Sequence, residues 1–302
     1  MMKTDKRKTV VNPYSLPGVV KHFKQTHPWV EIYSSLAARL ANELMFISED
    51  RSIRILEIGS GGGELALYLA KELQSNNRPY EMVLVEPSIL MRQFSCHKEI
   101  SLDPNVTICN DPYPNHYDQK LYNNFDCIIA LVSLHHISNW YESLSKSILC
   151  GSDNMIFVVG TVANDAILVS TGDYIKSHHQ DKQATKFWHV YHDKIKQLCD
   201  TNELRPSELL PWNCQPIEIL FQDNQFESKF NNIFEVVSDL SYFNLLNWIQ
   251  DGALTSLLAL GKPEDRQNLK NFMTTWMDHN RISGSDIWSF HGGIRVSIWS
   301  RL

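Results

Sequence analysis

Five short, nearly continuous apolar runs punctuate the first half of the chain: IRILEI at 53–58, EMVLVEP at 81–87, VTICND at 106–111, FDCIIALV at 125–132 and NMIFVVG at 154–160. The first reads as a buried strand and the others as four further strands. Helical spacing fills intervals between them, in LALYLAKEL after the first run and again at 88–98 and 139–150. This βαβαβ alternation predicts an α/β fold, a parallel sheet covered by helices on both faces. Ahead of it, 17–47 reads as helices, VVKHF and then WVEIYSSLAARLANELMFI, with apolar positions recurring at three and four. After Gly160 the pattern changes. The spacing is helical from 164 to 200 and from 227 to 280, PIEILF at 216–221 fits a strand, and IRVSIWS at 294–300 alternates like a closing strand. The expected organisation is N-terminal helices over 1–48, a ligand-binding core over 49–163, a mainly helical region over 164–290 and a closing strand over 291–302. With no internal repeat or low-complexity linker, the helical portion is expected to belong to the sheet domain or to pack on it.

The chemistry gathers at the turn after the first strand. In a doubly wound sheet the ligand sits at the carboxyl ends of the strands, and glycine lets the backbone approach it closely. A dinucleotide fingerprint would read GxGxxG, but the sixth residue counted from Gly59 is Glu64. Glu57, Gly59, Gly61 and Gly63 instead spell ExGxGxG, with the acid inside the strand. This resembles the first motif of class I S-adenosylmethionine-dependent methyltransferases and implies their Rossmann-like doubly wound sheet and their cofactor, S-adenosylmethionine. The resemblance places Glu57 near the cofactor's methionine amino group, with Gly59, Ser60, Gly61 and Gly63 admitting its carboxylate and ribose. Glu86, closing the second strand beside Pro87 and Ser88, is suited to accept both ribose hydroxyls. Asp111, with Asn110, falls where the family has a polar group near the adenine amino group, although Asn110-Asp111-Pro112 is equally an ordinary turn. Leu131 and Val132 would flank the adenine and the methyl donor. NDPYP at 110–114 is similar to the motif with which nucleic-acid amino methyltransferases grip their target nitrogen, but it follows the third strand here, not the fourth, so the likeness is read as accidental.

His135 and His136 follow the fourth strand and would face the same crevice, where imidazole can orient or deprotonate a nucleophile. They are the catalytic candidates, although LHHI also occurs where one histidine is structural. Methyl transfer from a sulfonium requires mainly alignment and desolvation, so a base is optional for an uncharged amine.

A narrower resemblance joins GSGGGELALYLAKEL, LVEPS, the two rings after the fourth strand, KPEDRQNL and the terminal FHGGIRVSIW: together they look like the histamine N-methyltransferase family. The family implies a helical lid over an amine site, formed by the N-terminal and late helices. Its substrate-anchoring glutamate falls at Trp29, with Glu31 the nearest acid. Its two tyrosines become His135 and His136, its late asparagine becomes Gly292 beside His291, and its tryptophans after the fifth strand become Asp165 and Val169. Trp29, His136 and His291 are therefore the substrate-binding candidates. The expected activity is methylation of a small molecule, an amine among the candidates, with an oxygen or carboxyl acceptor, or a non-catalytic binding protein on the same fold, as alternatives.

Composition narrows this further. A net charge of −6 with no basic stripe argues against nucleic acid as partner. No stretch approaches the roughly 20 apolar residues of a membrane span, and the basic residues among the first dozen lack the apolar run of a signal peptide. Six dispersed cysteines without a CxxC pair read as reduced thiols in a cytoplasmic protein with no metal site, and His178-His179 as a polar surface pair. A monomer or a homodimer is expected. Trp29, Trp188, Tyr191, Trp212, Phe243, Trp248, Trp276 and Trp288 lie outside the strands, and most such rings are expected to be core, with a few lining the acceptor pocket.

Overall fold

The computed structural model describes residues 20, 30–47, 51–113, 125–134, 137, 140–162, 182–201, 215–251 and 263–302. Within these, the five apolar runs form the strands β1 (Ile53–Ile58), β2 (Tyr80–Val85), β3 (Val106–Cys109), β4 (Phe125–Leu131) and β5 (Gly151–Val162). β1 pairs in parallel with β2 and β4, with Glu57 opposite Leu84 on one side and Ile129 on the other. β3 continues the sheet beyond β2, and β5 beyond β4, also in parallel. The closing strand β7 (Ile287–Arg301) runs antiparallel to β5, with Val158 opposite Ile298. With β6 (Phe226–Ser241) the sheet has seven strands in the order β3-β2-β1-β4-β5-β7-β6. The order reverses between β1 and β4, so the ligand crevice of such a sheet opens at their carboxyl ends.

Alternate side chains of the strands feed two cores. Ile53 and Ile55 pack with α1 (Val30–Leu44) and α2 (Glu64–Ser75), through Leu36, Leu40, Leu65 and Leu69. Leu56 and Ile58 pack with α4 (Trp140–Leu149) and α6 (Gln215–Asp223), through Leu144, Ile217 and Phe221. Helices thus cover both faces, as the near-continuous apolar strands require. A 3₁₀ turn at Met91–Gln93 and α3 (Ser95–Ile100) connect β2 to β3.

Two segments differ from expectation. PIEILF does not form a strand at 216–221; it lies in α6, because Ile217, Leu220 and Phe221 recur at three and four and all three are buried. The stretch from 226 to 241 is not helical but is β6. Phe226, Phe230 and Phe234 stand four apart, which imitates a helix. In the fold Phe226 packs with the α6 core, while Phe230 and Phe234 pack with the α1 core, so the strand's alternation is broken between them.

The chain divides into two compact units, one of His27–Thr185, Pro211–Asp239 and Ser289–Leu302, the other of Met1–Thr26, Lys186–Leu210 and Leu240–Trp288. The first carries the parallel strands. The second is built on α5 (Lys182–Thr201), α7 (Tyr242–Asp251) and α8 (Pro263–His279), around Phe187, whose ring lies 5.4 Å from Tyr242 and 6.0 Å from Trp276. Of the rings singled out above, Tyr191 is fully buried there, Trp276 and Trp248 are half-buried and Phe243 is exposed. Trp29 and Trp212 lie outside the described residues, as do the side chains of Trp188 and Trp288. VVKHF also lies outside them, apart from Val20. No helix among the described residues is long and apolar enough to cross a membrane, and no group of His, Cys, Asp and Glu there could hold a metal ion.

Candidate functional site

The turn from β1 to α2 is shaped by its glycines. Gly59 has φ +73° and Gly63 has φ +82°, a left-handed conformation that costs other residues about 1–2 kcal/mol. Space reinforces conformation. A Cβ on Gly63 would lie 2.8 Å from the His97 Cα, and one on Gly59 would lie 2.5 Å from the Ser133 Cβ. The turn is pinned to the end of β2, because the amides of Gly59 and Ser60 donate to the Val85 carbonyl at 2.8 and 3.1 Å.

Glu86 stands where β2 ends. Its Oε2 accepts from the Gly61 amide at 2.8 Å and its Oε1 from the Ser88 amide at 2.7 Å. Arg92 donates to the Glu86 carbonyl at 2.5 Å. Burial pushes the Glu86 carboxyl up to about 7, against the opposing pull of the two amides and of Arg92. Glu57 is raised further, to about 8, by burial and then by the charges of Glu64 and Glu86. Burial also raises Glu64, which opens α2 and folds its carboxylate over Gly62. Three buried carboxyls therefore surround the glycine turn, and none of them makes a salt bridge among the described residues. Such a site favours a ligand that brings positive charge.

The rim follows in order. Pro87 is half-buried and Ser88 buried, with the Ser88 Oγ accepting from the Met91 amide at 3.2 Å. Asn110 and Asp111 are exposed just past the end of β3. Leu131 is buried at the end of β4, in space that Gly160 leaves open: a Cβ there would lie 2.0 Å from the Leu131 Cδ1. Val132 takes φ +52° and donates its amide to the Gly160 carbonyl at 2.7 Å.

All twelve residues expected to serve the cofactor thus lie on the turns and strand ends of β1 to β4. His135, His136 and Trp29 lie outside the described residues, and of His291 only the backbone, within β7, is described. Sequence reasoning missed Glu64, Arg92 and Ser133. Glu64 carried the one available signal, an acid in the first turn of the helix after the glycines. Arg92 and Ser133 acquire their positions from the chain's path alone.

A family model described as a methyltransferase domain matches residues 32–207, more than half of the chain. A search of curated proteins finds no match. Among solved structures, the plantazolicin methyltransferase BpumL in complex with a pentazolic desmethylPZN analog and SAH is 13% identical, with a TM-score of 0.49 over 97% of this chain and 95% of that one. The YcgJ protein from Bacillus subtilis is 15% identical, with a TM-score of 0.43 over 87% of this chain and 98% of that one.

Proposed function

Because the chain belongs to the methyltransferase-domain family, we propose that it transfers a methyl group from S-adenosylmethionine to a small-molecule acceptor, with an amine nitrogen as the first acceptor class. The carrying observation is the Glu86 carboxylate, held by the Gly61 and Ser88 amides where the carboxyl ends of β1 and β2 lie side by side. Each of its oxygens keeps acceptor capacity beyond the one amide it binds, which suits a pair of ribose hydroxyls.

The other residues fit the same donor. The left-handed glycine turn leaves its backbone bare at Gly61, where a Cβ would meet only the Met91 Cε at 3.5 Å. The buried hydroxyl of Ser60 has no partner among the described residues, and the carboxyls of Glu57, Glu64 and Glu86 suit a ligand carrying an ammonium and a sulfonium. Glu57 would face the ammonium, Glu86 the ribose, Asn110 and Asp111 the adenine edge, and Pro87, Leu131 and Val132 its faces. When bound, the donor supplies a methyl group activated by positive sulfur, and the protein's task is to align the acceptor with it and exclude water.

The likeness to histamine N-methyltransferases supports an amine acceptor, with Trp29, His136 and His291 as its contacts and the helical portions 1–48 and 164–290 as the carriers of specificity. One experiment tests the reading. Titration calorimetry with S-adenosylhomocysteine, followed by a screen of amines, alcohols and carboxylates for methylated products, should give binding and a methylated amine. Tight NADH binding without binding of either sulfur nucleoside would end it.

A further inference from the structure

The end of β4 carries a backbone distortion at Val132. Val132 is β-branched yet sits at φ +52°, a conformation rare for such residues and costly to hold. Its amide is fixed on the Gly160 carbonyl at 2.7 Å. The consequence falls on the next residue. Ser133 is turned onto the glycine loop, so close that a Cβ on Gly59 would lie 3.2 Å from its Oγ.

Ser133 is 8% exposed and its hydroxyl has no hydrogen-bond partner among the described residues. Ser60, beside Gly59 on the same turn, is 6% exposed and its hydroxyl likewise has no partner among those residues. Buried hydroxyls nearly always find a partner, and leaving one unpaired is costly. Two at one glycine, one of them delivered by a strained residue, mark a place where the partner is a bound molecule rather than the protein. The buried carboxyls of Glu57, Glu64 and Glu86, on the strand ends and helix start that border this turn, suit a molecule whose polar end is positively charged.

We propose that Ser133 is a donor-positioning residue whose hydroxyl accepts a hydrogen bond from the α-ammonium group of S-adenosylmethionine, beside the Ser60 hydroxyl. The proposal rests on the methyltransferase reading above. It differs from a packing role in one measurable way: only ligands with an amino-acid end should respond to Ser133.

The test compares S-adenosylhomocysteine with 5′-methylthioadenosine, which shares its nucleoside and thioether but lacks the amino-acid end. In Ser133→Ala, affinity for the first should fall about tenfold or more while affinity for the second stays within about twofold. The ligand-free variant should melt at or above the midpoint of the unmodified protein, since an unpaired buried hydroxyl has been removed. Equal losses for both ligands, no loss for either, or a midpoint lowered by many degrees would assign Ser133 to packing and overturn the inference. Unmodified protein that binds neither ligand overturns the methyltransferase reading itself, an outcome distinct from all of these.

Discussion

The Gly61 amide donates to Glu86 Oε2 at 2.8 Å, so the turn after β1 is tied to the end of β2 by one carboxylate, whose other oxygen holds the Ser88 amide at 2.7 Å. Glu86 is therefore part of the scaffold as well as the proposed ligand for the donor's ribose. Glu86→Ala should weaken S-adenosylhomocysteine binding at least tenfold. It should also lower stability by about 1–3 kcal/mol, because two backbone amides lose their acceptor. Calorimetric titration and a chemical melt of the ligand-free variant measure the two effects. Unchanged values in both would remove Glu86 from the site.

A second expectation concerns pH. Glu57 and Glu86 have carboxyls raised from 4.5 to about 8 and about 7 in the folded protein. The native state then binds more protons than the unfolded chain between those values, so stability falls as pH rises through this window. The melting midpoint of the ligand-free protein should accordingly drop from pH 5 to pH 8, and Glu57→Gln should flatten the slope. A midpoint that climbs over the same range would contradict the buried carboxyl cluster.

Gly63 caps α2 without a side chain of its own, in a left-handed conformation against the backbone of His97. Gly63→Ala meets both the conformational penalty and a Cβ contact of 2.8 Å with a Cα that cannot swing away. A loss of about 2 kcal/mol or more is expected, read from denaturant unfolding. Wild-type stability would mean that α3, which carries His97, shifts at little cost.

Much of this was legible in the residues themselves. Parallel strands buried on both faces, such as β1, β2 and β4, announce themselves as apolar runs, and the left-handed turn after β1 announces itself as glycines, so these strands, the ExGxGxG turn and the acid closing β2 were readable from pattern and spacing. β6 was hidden because its aromatic residues stand four apart and divide between the two faces. α6 was hidden because a six-residue apolar run suits either structure until its neighbours exist. Ser133 could not be read at all. Its place against Gly59 depends on the backbone angle of Val132, which no residue type announces, valine least of all.

Asp126 is fully buried at the start of β4 and accepts from Arg51 Nη1 and Nη2 at 2.6 and 2.5 Å, from the Arg54 amide at 2.9 Å and from the Ser152 hydroxyl at 3.0 Å. Burial alone would raise its carboxyl, but these bonds and the Arg51 charge hold it below the ordinary value. Asp126→Ala strands several donors between β1, β4 and β5 and should destabilise the protein by about 3 kcal/mol. It stands at the opposite end of β4 from Leu131, so donor affinity in the folded variant should stay within about twofold. A large loss of affinity without loss of stability would assign Asp126 to the site instead of the scaffold.

The last prediction separates strain from packing at Val132. A half-buried valine replaced by glycine ordinarily loses stability, through lost contacts and a more flexible unfolded chain. At φ +52° the same change also relieves a left-handed penalty of about 1–2 kcal/mol. The two effects oppose each other, so Val132→Gly should leave the melting midpoint of the ligand-free protein unchanged or slightly raised. Donor binding should respond differently, because glycine no longer holds Ser133 to one path over Gly59. Both ligands lose the Val132 side chain against the adenine, and affinity for S-adenosylhomocysteine should fall severalfold further than that for 5′-methylthioadenosine, the extra loss being the one expected of Ser133→Ala. If Val132→Gly instead destabilises by about 2 kcal/mol and leaves both affinities intact, the distortion at the end of β4 serves the core, and the strain has no part in holding the donor.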